Sequence, residues 1–249
     1  MEFKMHQLSN LKPAGWRARI GVIVPPSNTT NETEFNRMKP EGISFHFTRS
    51  PIHRNPAADG FKTMMADLQS AVSDLKACNV DLMAYGCTAG SMACPQEILI
   101  GTMEKHGSVG AVSTAGSIIA ALTALGITKI GMATPYSDET NEHEKEFLER
   151  HGFSVVKMAG LQLSRQIQQV SRVPPSEVYS HALSVDCPDA EAILICCTDF
   201  GTIDVIAGLE EKLGGKPVIS SNTASFWHSL RKAGGKDKIP GYGKLLIDF

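Results

Sequence analysis

Residues 192–201 read Ala192-Ile193-Leu194-Ile195-Cys196-Cys197-Thr198-Asp199-Phe200-Gly201, an apolar run that ends in a thiol, a hydroxyl and a turn. An earlier stretch has the same plan and reads Leu82-Met83-Ala84-Tyr85-Gly86-Cys87-Thr88-Ala89-Gly90. Each apolar run predicts a buried parallel strand, and each Cys-Thr pair falls where we expect the strand to give way to a helix. Open α/β sheets bind ligands at this edge, so both pairs are candidate site residues.

The two stretches belong to an internal repeat. Cys197 follows Cys87 by 110 residues, and the same offset aligns Arg19-Ile20-Gly21 with Lys129-Ile130-Gly131. It also aligns identical residues after the first strand of each copy, namely Pro25, Ser27, Thr30, Asn31 and Glu32 with Pro135, Ser137, Thr140, Asn141 and Glu142. The chain therefore reads as two copies of one unit. If the copies face each other across a pseudo-two-fold axis, both cysteines meet at one cleft.

Strand and helix patterns alternate along both copies. Strands are predicted near residues 20–24, 43–47, 82–85, 109–113, 130–133, 153–158, 192–195 and 217–221, and helices near 30–38, 58–77, 95–106, 114–125, 139–150, 175–185, 203–213 and 223–233. This alternation is typical of parallel sheets with right-handed crossovers. We therefore expect an α/β fold of two pseudo-symmetric lobes, each a parallel sheet flanked by helices. The first lobe is placed at 17–113, completed by the C-terminal segment 217–249, and the second at 114–216.

The composition points to a small-molecule partner. The chain has 249 residues, 42% of them hydrophobic, and a formal charge of -2, with no run of Lys and Arg. We therefore expect neither nucleic acid nor a membrane as partner, and no apolar run approaches the length of a membrane span. Six cysteines are too few for a disulfide scaffold of this size, and the N-terminal residues are polar, which favours a cytoplasmic location with reduced thiols.

Cys87 and Cys197 are the strongest catalytic candidates. A thiol at a strand end that faces a helix N-terminus meets unpaired backbone N–H groups and the positive end of the helix dipole, which lower its pKa and favour the thiolate. A single cysteine of this kind is usually structural. Two cysteines at repeat-related positions, each followed by threonine, favour a catalytic role. Thr88 and Thr198 can act as helix caps, and the same hydroxyl and N–H groups can hold a carboxylate.

Polar loops follow the first strand of each copy. Ser27 and Asn28, with Tyr136 and Ser137 in the second copy, either converge on an anion or form tight turns that cap helices. Asp199 either keeps the thiol two residues before it protonated or is a solvated residue at a helix start, the interpretation we favour. The histidines are scattered and no Cys-x-x-Cys pair is present, so no metal site is expected.

The most specific motifs are Gly21-Val22-Ile23-Val24-Pro25-Pro26-Ser27-Asn28-Thr29, Gly86-Cys87-Thr88, Ala133-Thr134-Pro135-Tyr136, Cys197-Thr198 and Pro217-Val218-Ile219-Ser220-Ser221-Asn222. With these motifs the chain resembles the maleate cis-trans isomerase and arylmalonate decarboxylase branch of the aspartate/glutamate racemase superfamily, over nearly its whole length. The resemblance implies a two-lobed fold with the active site between the lobes, no cofactor, and a homodimer.

The resemblance also implies roles for individual residues. Cys87 corresponds to a thiolate that attacks the double bond of maleate and forms a succinyl adduct, and Cys197 to the acid and base that delivers and retrieves a proton. Asn28 and Tyr136 correspond to residues that hold carboxylates. The decarboxylase keeps only the second cysteine, so the presence of both favours an isomerase or racemase.

Two departures from the family pattern keep alternatives open. The segment Thr88-Ala89-Gly90-Ser91 is small and hydroxylic, as in the decarboxylase, and the family's asparagine in the second lobe has no clear match, Gln166 and Gln168 being the nearest amides. We expect a two-cysteine isomerase of a small dicarboxylate, with maleate to fumarate as the first candidate reaction. The alternatives are an arylmalonate-type decarboxylase, an amino-acid or hydroxy-acid racemase, and a non-catalytic carboxylate-binding protein.

Overall fold

The computed structural model describes residues 11–53 and 55–249, which form two parallel sheets flanked by helices. The strands are β1 (Ala18–Val24), β2 (Ile43–Arg49), β3 (Leu82–Tyr85), β4 (Gly110–Ser113), β5 (Lys129–Thr134), β6 (Ser154–Gly160), β7 (Ala192–Ile195) and β8 (Val218–Ser220). The helices are α1 (Asn31–Met38), α2 (Lys62–Ala77), α3 (Thr88–Ala93), α4 (Gln96–Gly107), α5 (Thr114–Ala124), α6 (Asp138–Arg150), α7 (Ile167–Val170), α8 (Pro175–Ser184), α9 (Ile203–Lys212), α10 (Ser221–Lys232) and α11 (Lys244–Asp248).

The two sheets have equivalent strand order and register. The first has the order β2-β1-β3-β4 and the second β6-β5-β7-β8, with parallel pairing throughout. Ile20 pairs with Leu82 in the first sheet, and Ile130 pairs with Ala192 in the second. The central strands β3 and β7 are buried at every residue, which is why they read as continuous apolar runs. The predicted α/β fold of two pseudo-symmetric lobes is confirmed.

Two predicted helix starts differ from the structure by a few residues. The helix predicted at 58–77 begins at Lys62, because a 3₁₀ turn at Pro56–Asp59 precedes it. The helix predicted at 223–233 begins at Ser221, since the side chains of Ser220 and Thr223 form a capping box at its N-terminus. For the second of these helices, the capping side chains mark the start better than the apolar period does.

The C-terminal segment contacts both lobes. Strand β8 pairs with β7 and extends the second sheet, whereas the following helix α10 packs against α5 and against β3 and β4 of the first sheet. Residues 217–249 thus place their strand in the second sheet and their helix on the first. The lobe boundaries at 17–113 with 217–249 and at 114–216 stay a prediction.

One cluster of buried apolar side chains runs through both lobes. It joins strand residues of the two sheets with side chains of α5 and α10, such as Ile118 and Phe226. A smaller cluster fills the space between α2, α4 and the first sheet. Within the described part of the chain, no helix combines the length and the apolar character needed to cross a membrane.

Candidate active site

A cavity of about 830 Å³ lies between the lobes, beyond the carboxyl ends of β1, β3, β5 and β7. The strands of each sheet are parallel, so the loops that follow them emerge at the same edge. Every residue assigned to the site from the sequence lines this cavity, namely Ser27, Asn28, Cys87, Thr88, Tyr136, Cys197 and Thr198. Four of them come from the first copy of the repeat and three from the second, so the two copies share one cleft.

Cys87 is the N-cap residue of α3, and its Sγ accepts a hydrogen bond from the backbone N–H of Gly90 at 3.4 Å. This is the helix-start position that the sequence predicts. The predicted lowering of its pKa is wrong, however, because burial raises the pKa of the thiol to about 11 and the Gly90 N–H offsets only part of that rise. Helix α3 has only six residues, so its dipole is weak.

Cys197 does not lie at a helix start, contrary to the prediction. A turn follows it and α9 begins only at Ile203. The backbone of Cys197 has a φ of 86°, a left-handed conformation that is strained for a residue with a side chain. Burial raises the pKa of its thiol to about 12, although the hydroxyl of Tyr136 and the backbone N–H of Asp199 both donate to Sγ and oppose that rise.

Both threonine hydroxyls donate hydrogen bonds to segments that are distant in sequence, and the bond of Thr198 joins the two lobes. The hydroxyl of Thr88 donates to Ser221 Oγ at 2.8 Å, and the hydroxyl of Thr198 donates to the carbonyl of Gly86 at 2.9 Å. Thr198 Oγ1 also accepts a hydrogen bond from Asn28 Nδ2 at 3.1 Å. These hydroxyl protons are already used within the protein, so any ligand contact at these positions uses the remaining lone pairs or the backbone N–H groups.

Asn28 organises the start of α1. Its Oδ1 accepts hydrogen bonds from the backbone N–H groups of Thr30 and Asn31 at 3.2 and 3.0 Å. The side chain is buried, and one proton of its amide is left after the bond to Thr198. Ser27 is half-buried and Tyr136 is buried on the opposite wall of the cavity.

Asp199 also lines the cavity, and it is not the solvated residue that we favoured from the sequence. Only 4% of it is exposed, and its Oδ1 accepts hydrogen bonds from the backbone N–H groups of Thr29 and Thr30 at 2.8 and 3.2 Å. The reason is that the turn after β7 packs against the loop before α1 of the other lobe. Local sequence around residue 199 carries no sign of that contact.

Sequence reasoning missed several side chains of the cavity wall. Arg165 and His143 line the cavity on the side of the second lobe, and His53 lines it on the side of the first. Gln166 and Gln168, the amides nearest to the family's asparagine, are not among the lining residues. Arg165 could have been found from the sequence, because it is a basic residue in the loop between β6 and α7. Across residues 11–53 and 55–249, no group of three or more His, Cys, Asp or Glu side chains is placed to hold a metal ion.

Comparisons with known proteins cover almost the entire chain. The family model described as arylmalonate decarboxylase matches residues 20–246. The maleate isomerase of Nocardia farcinica is 28% identical over 241 residues, which are 92% of this chain and 95% of that protein. The arylmalonate decarboxylase of Bordetella bronchiseptica is 27% identical over 234 residues, which are 91% of this chain and 95% of that protein.

Solved structures share the two-lobed arrangement. A mutant of the Nocardia farcinica maleate cis-trans isomerase with a covalently bound succinylcysteine intermediate has a TM-score of 0.84 at 26% identity, and the match covers 93% of this chain and 99% of that one. A maleate isomerase variant from Pseudomonas putida with maleate has a TM-score of 0.82 at 26% identity, covering 92% and 97%. The likeness therefore includes both lobes and the cleft between them.

Proposed function

The chain belongs to the arylmalonate decarboxylase family, and we propose that it is a cofactor-independent isomerase that converts maleate into fumarate. The observation that carries the proposal is the pair of thiols, Cys87 and Cys197, at equivalent positions of the repeat in one cavity. A decarboxylase needs one proton donor, whereas addition to a double bond needs a nucleophile and a separate acid. Similarity to maleate isomerases, one of them solved as a succinylcysteine adduct, supports the same assignment.

In the proposed reaction Cys87 is the nucleophile and Cys197 is the acid and base. The Cys87 thiolate forms a C–S bond to one carbon of the maleate double bond, while Cys197 gives its proton to the other carbon, so that the double bond becomes single. Rotation about this bond brings the carboxylates to opposite sides. Cys197 then removes a proton from the same carbon, the electron pair restores the double bond, and the C–S bond breaks to release fumarate and the Cys87 thiolate.

Two differences between the thiols support this division of roles. Cys87 is half-buried and reached from the cavity, whereas Cys197 is only 6% exposed. Cys87 is also the N-cap residue of α3 and accepts a hydrogen bond from the Gly90 N–H, whereas Cys197 lies outside any helix start. The accessible thiol is thus the one at a helix N-terminus, as a nucleophile requires.

We assign carboxylate binding to polar groups around the two thiols. On the first-lobe side, Ser27 and the amide of Asn28 face the cavity, and on the second-lobe side Tyr136 and Arg165 do so. Backbone N–H groups after the two thiols, at Thr88 and Thr198, complete the set. Arg165 supplies the positive charge that a substrate with two carboxylates favours.

One alternative keeps specific support. The small hydroxylic segment that follows Cys87, Thr88 to Ser91, lines the same cavity in part, and the family model and the Bordetella bronchiseptica relative are named for arylmalonate decarboxylation. A decarboxylase or a racemase in the same cleft would rely on Cys197 as proton donor. The homodimer and the cytoplasmic location also stay predictions from the sequence.

A proton NMR time course tests the proposed reaction. The reduced protein is incubated with maleate in deuterated buffer, beside the variants Cys87→Ala and Cys197→Ala. The control is Cys78→Ala, because Cys78 is exposed and does not line the cavity. Fumarate is expected from the wild type and the control, and not from the other two. Release of CO₂ from an arylmalonate with no turnover of maleate would contradict the isomerase and establish the decarboxylase.

A trapping experiment tests the role of Cys87 on its own. With Cys197→Ser, the adduct forms but elimination is slow, so mass spectrometry should find one succinyl group on the peptide that contains Cys87. A succinyl group on any other cysteine would reject Cys87 as the nucleophile.

A further inference from the structure

The repeat places different residues after its two thiols. Asp199 follows Cys197 by two residues, and the equivalent residue after Cys87 is Ala89. Both line the cavity. On its own segment, Cys197 is thus followed by a carboxylate and Cys87 is not; the acidic group that acts on Cys87 is Glu144, on α6 of the other copy.

Asp199 is held firmly in the turn. Its Oδ1 accepts from the N–H groups of Thr29 and Thr30, and the hydroxyl of Thr30 donates to its backbone carbonyl at 3.0 Å. Its second oxygen, Oδ2, is buried and has no hydrogen-bond partner among the residues that the structure describes. Because these contacts come from the opposite lobe, the carboxylate cannot swing into solvent while the lobes stay together.

Asp199 and the Cys197 thiol belong to one tight turn. The backbone of Cys197 is left-handed, and the N–H of Phe200 donates to the carbonyl of Cys197 at 3.3 Å, which closes the turn around Asp199. A negative charge in this turn disfavours a second one on sulfur and acts to raise the pKa of the thiol. Cys87 has an ordinary extended backbone with a φ of -145° and meets the N–H of Gly90 instead, with no carboxylate beside it on its own segment.

We propose that Asp199 is a positioning residue that keeps the proton on Cys197, so that Cys197 enters the reaction as the acid. The role as acid rests on the proposed isomerase function, whereas the effect on the thiol does not depend on any substrate. The other titratable side chains that interact with the Cys197 thiol are Tyr136, which donates to it, Cys87 across the cleft and the adjacent Cys196. None of these three carries a negative charge before the Cys197 thiol itself begins to ionise.

Burial, hydrogen bonds and a nearby cation all act on the Asp199 carboxyl. Burial raises its pKa, and hydrogen bonds from Thr29 and Thr30 and the positive charge of Arg49 oppose that rise. An ordinary carboxyl ionises about 5 pH units below an ordinary thiol, so Asp199 carries its charge in the alkaline range in which the Cys197 thiol titrates.

The test is a pH titration of thiol alkylation in a Cys87→Ala background, with the modified cysteine identified by mass spectrometry. Asp199→Asn removes the charge and keeps an oxygen that accepts from Thr29 and Thr30. The alkylation midpoint of Cys197 is expected to fall by about one pH unit in this variant. An unchanged midpoint in a variant that melts at the wild-type temperature would overturn the proposal.

Two further variants separate charge from shape. Asp199→Glu keeps the charge, so the alkylation midpoint of Cys197 should stay high. Asp199→Ser is a second uncharged replacement, for the case that the asparagine amide does not fit, and it should lower the midpoint as Asp199→Asn does. If maleate is not a substrate but the midpoint moves, the inference on Asp199 stands and the isomerase proposal fails. If maleate is isomerised and neither uncharged variant moves the midpoint, the isomerase stands and the inference on Asp199 fails.

Discussion

Glu34 and Glu144 occupy equivalent positions of the repeat, yet only Glu34 meets backbone N–H and amide donors, Glu144 having only the weak thiol donor of Cys196 nearby. The Glu34 carboxylate accepts from the backbone N–H groups of Thr202 and Ile203 at 2.6 and 3.1 Å and from Asn222 Nδ2 at 2.7 Å. It thereby caps α9 of the other lobe. In the part of the chain that the structure describes, both oxygens of Glu144 are buried without a nitrogen or oxygen partner; burial raises its pKa to about 8, and the thiol of Cys196 offsets only part of that rise.

We expect Glu144→Gln to stabilise the protein at alkaline pH. Between the ordinary pKa of 4.5 and about 8, the unfolded chain releases the Glu144 proton while the folded protein keeps it, so stability falls as the pH rises through this range. Above pH 8 the loss is complete, on the order of 5 kcal/mol at most. The measurement is the free energy of unfolding in urea of the wild type and of Glu144→Gln, at pH 5 and at pH 9. If the two proteins differ by the same amount at both pH values, Glu144 is not a buried acid with a raised pKa.

Glu34→Gln is the matched control and should have the opposite effect. The side-chain amide of glutamine would place its own N–H group against donors whose hydrogen bonds the carboxylate now accepts. This is expected to lower the free energy of unfolding by about 1–3 kcal/mol near neutral pH. The same unfolding measurement applies. Stabilisation by this variant would mean that the hydrogen bonds to Thr202 and Asn222 contribute nothing to the fold.

Gly90→Ala should impair Cys87 more than it impairs folding. A Cβ at Gly90 would lie 3.0 Å from Tyr85 Oη and 3.1 Å from Cys87 Sγ, so the thiol must move by a few tenths of an ångström. Displacement of a nucleophile on this scale is expected to lower kcat by about 10-fold or more. The control is Gly101→Ala in α4, where no atom lies within 4 Å of the new Cβ; it should stabilise by about 1 kcal/mol and leave kcat unchanged.

Tyr136→Phe should slow the step in which Cys197 is the acid, because that step leaves a thiolate on Cys197. The hydroxyl of Tyr136 donates to Cys197 Sγ and lowers its pKa, so its removal raises that pKa further. Loss of a hydrogen bond to a charged sulfur is expected to reduce kcat about 10- to 100-fold. The pH profile of kcat is the measurement, and its alkaline limb should move to higher pH. A profile that only decreases in height would contradict the contact with Cys197.

Arg165→Gln should weaken substrate binding with little change in kcat. The guanidinium lies in an exposed part of the cavity wall, where an ion pair contributes about 1 kcal/mol or less, so KM is expected to rise about fivefold. Arg172→Gln, an exposed arginine outside the cavity lining, is the control and should leave KM unchanged. The effect of Arg165→Gln should also shrink at high salt. A KM that does not respond to either salt or substitution would remove Arg165 from the binding set.

Sequence alone was sufficient for the fold because its signals are local. The apolar runs before Cys87 and Cys197 and the offset between them predict two equivalent sheets, and the pairing of Ile20 with Leu82 and of Ile130 with Ala192 reproduces that offset. The residues at the strand ends likewise fall at one cleft, since parallel strands end at the same edge.

Properties that depend on tertiary packing were not predictable. The pKa of Cys87 is raised, not lowered, because the burial of its thiol outweighs the effect of a short helix. Asp199 is buried by the loop at Thr29, and that loop is 170 residues away in sequence. Strand β8 joins the second sheet while α10 returns to the first, a crossing that no local pattern indicates.

The polar bonds at the bottom of the cavity also bear on how the molecule denatures. Asn28 with Thr198, Thr29 with Asp199 and Asn31 with Asn222 each link the first sheet's loops to segments of the second copy or of α10, and all these partners except Thr29 are buried. Separating the lobes would leave several such groups without partners, at a cost of about 1–3 kcal/mol each. Neither half can unfold while the other stays folded, so the two sheets form one cooperative unit. Heating should therefore give a single transition in which the calorimetric and van't Hoff enthalpies agree.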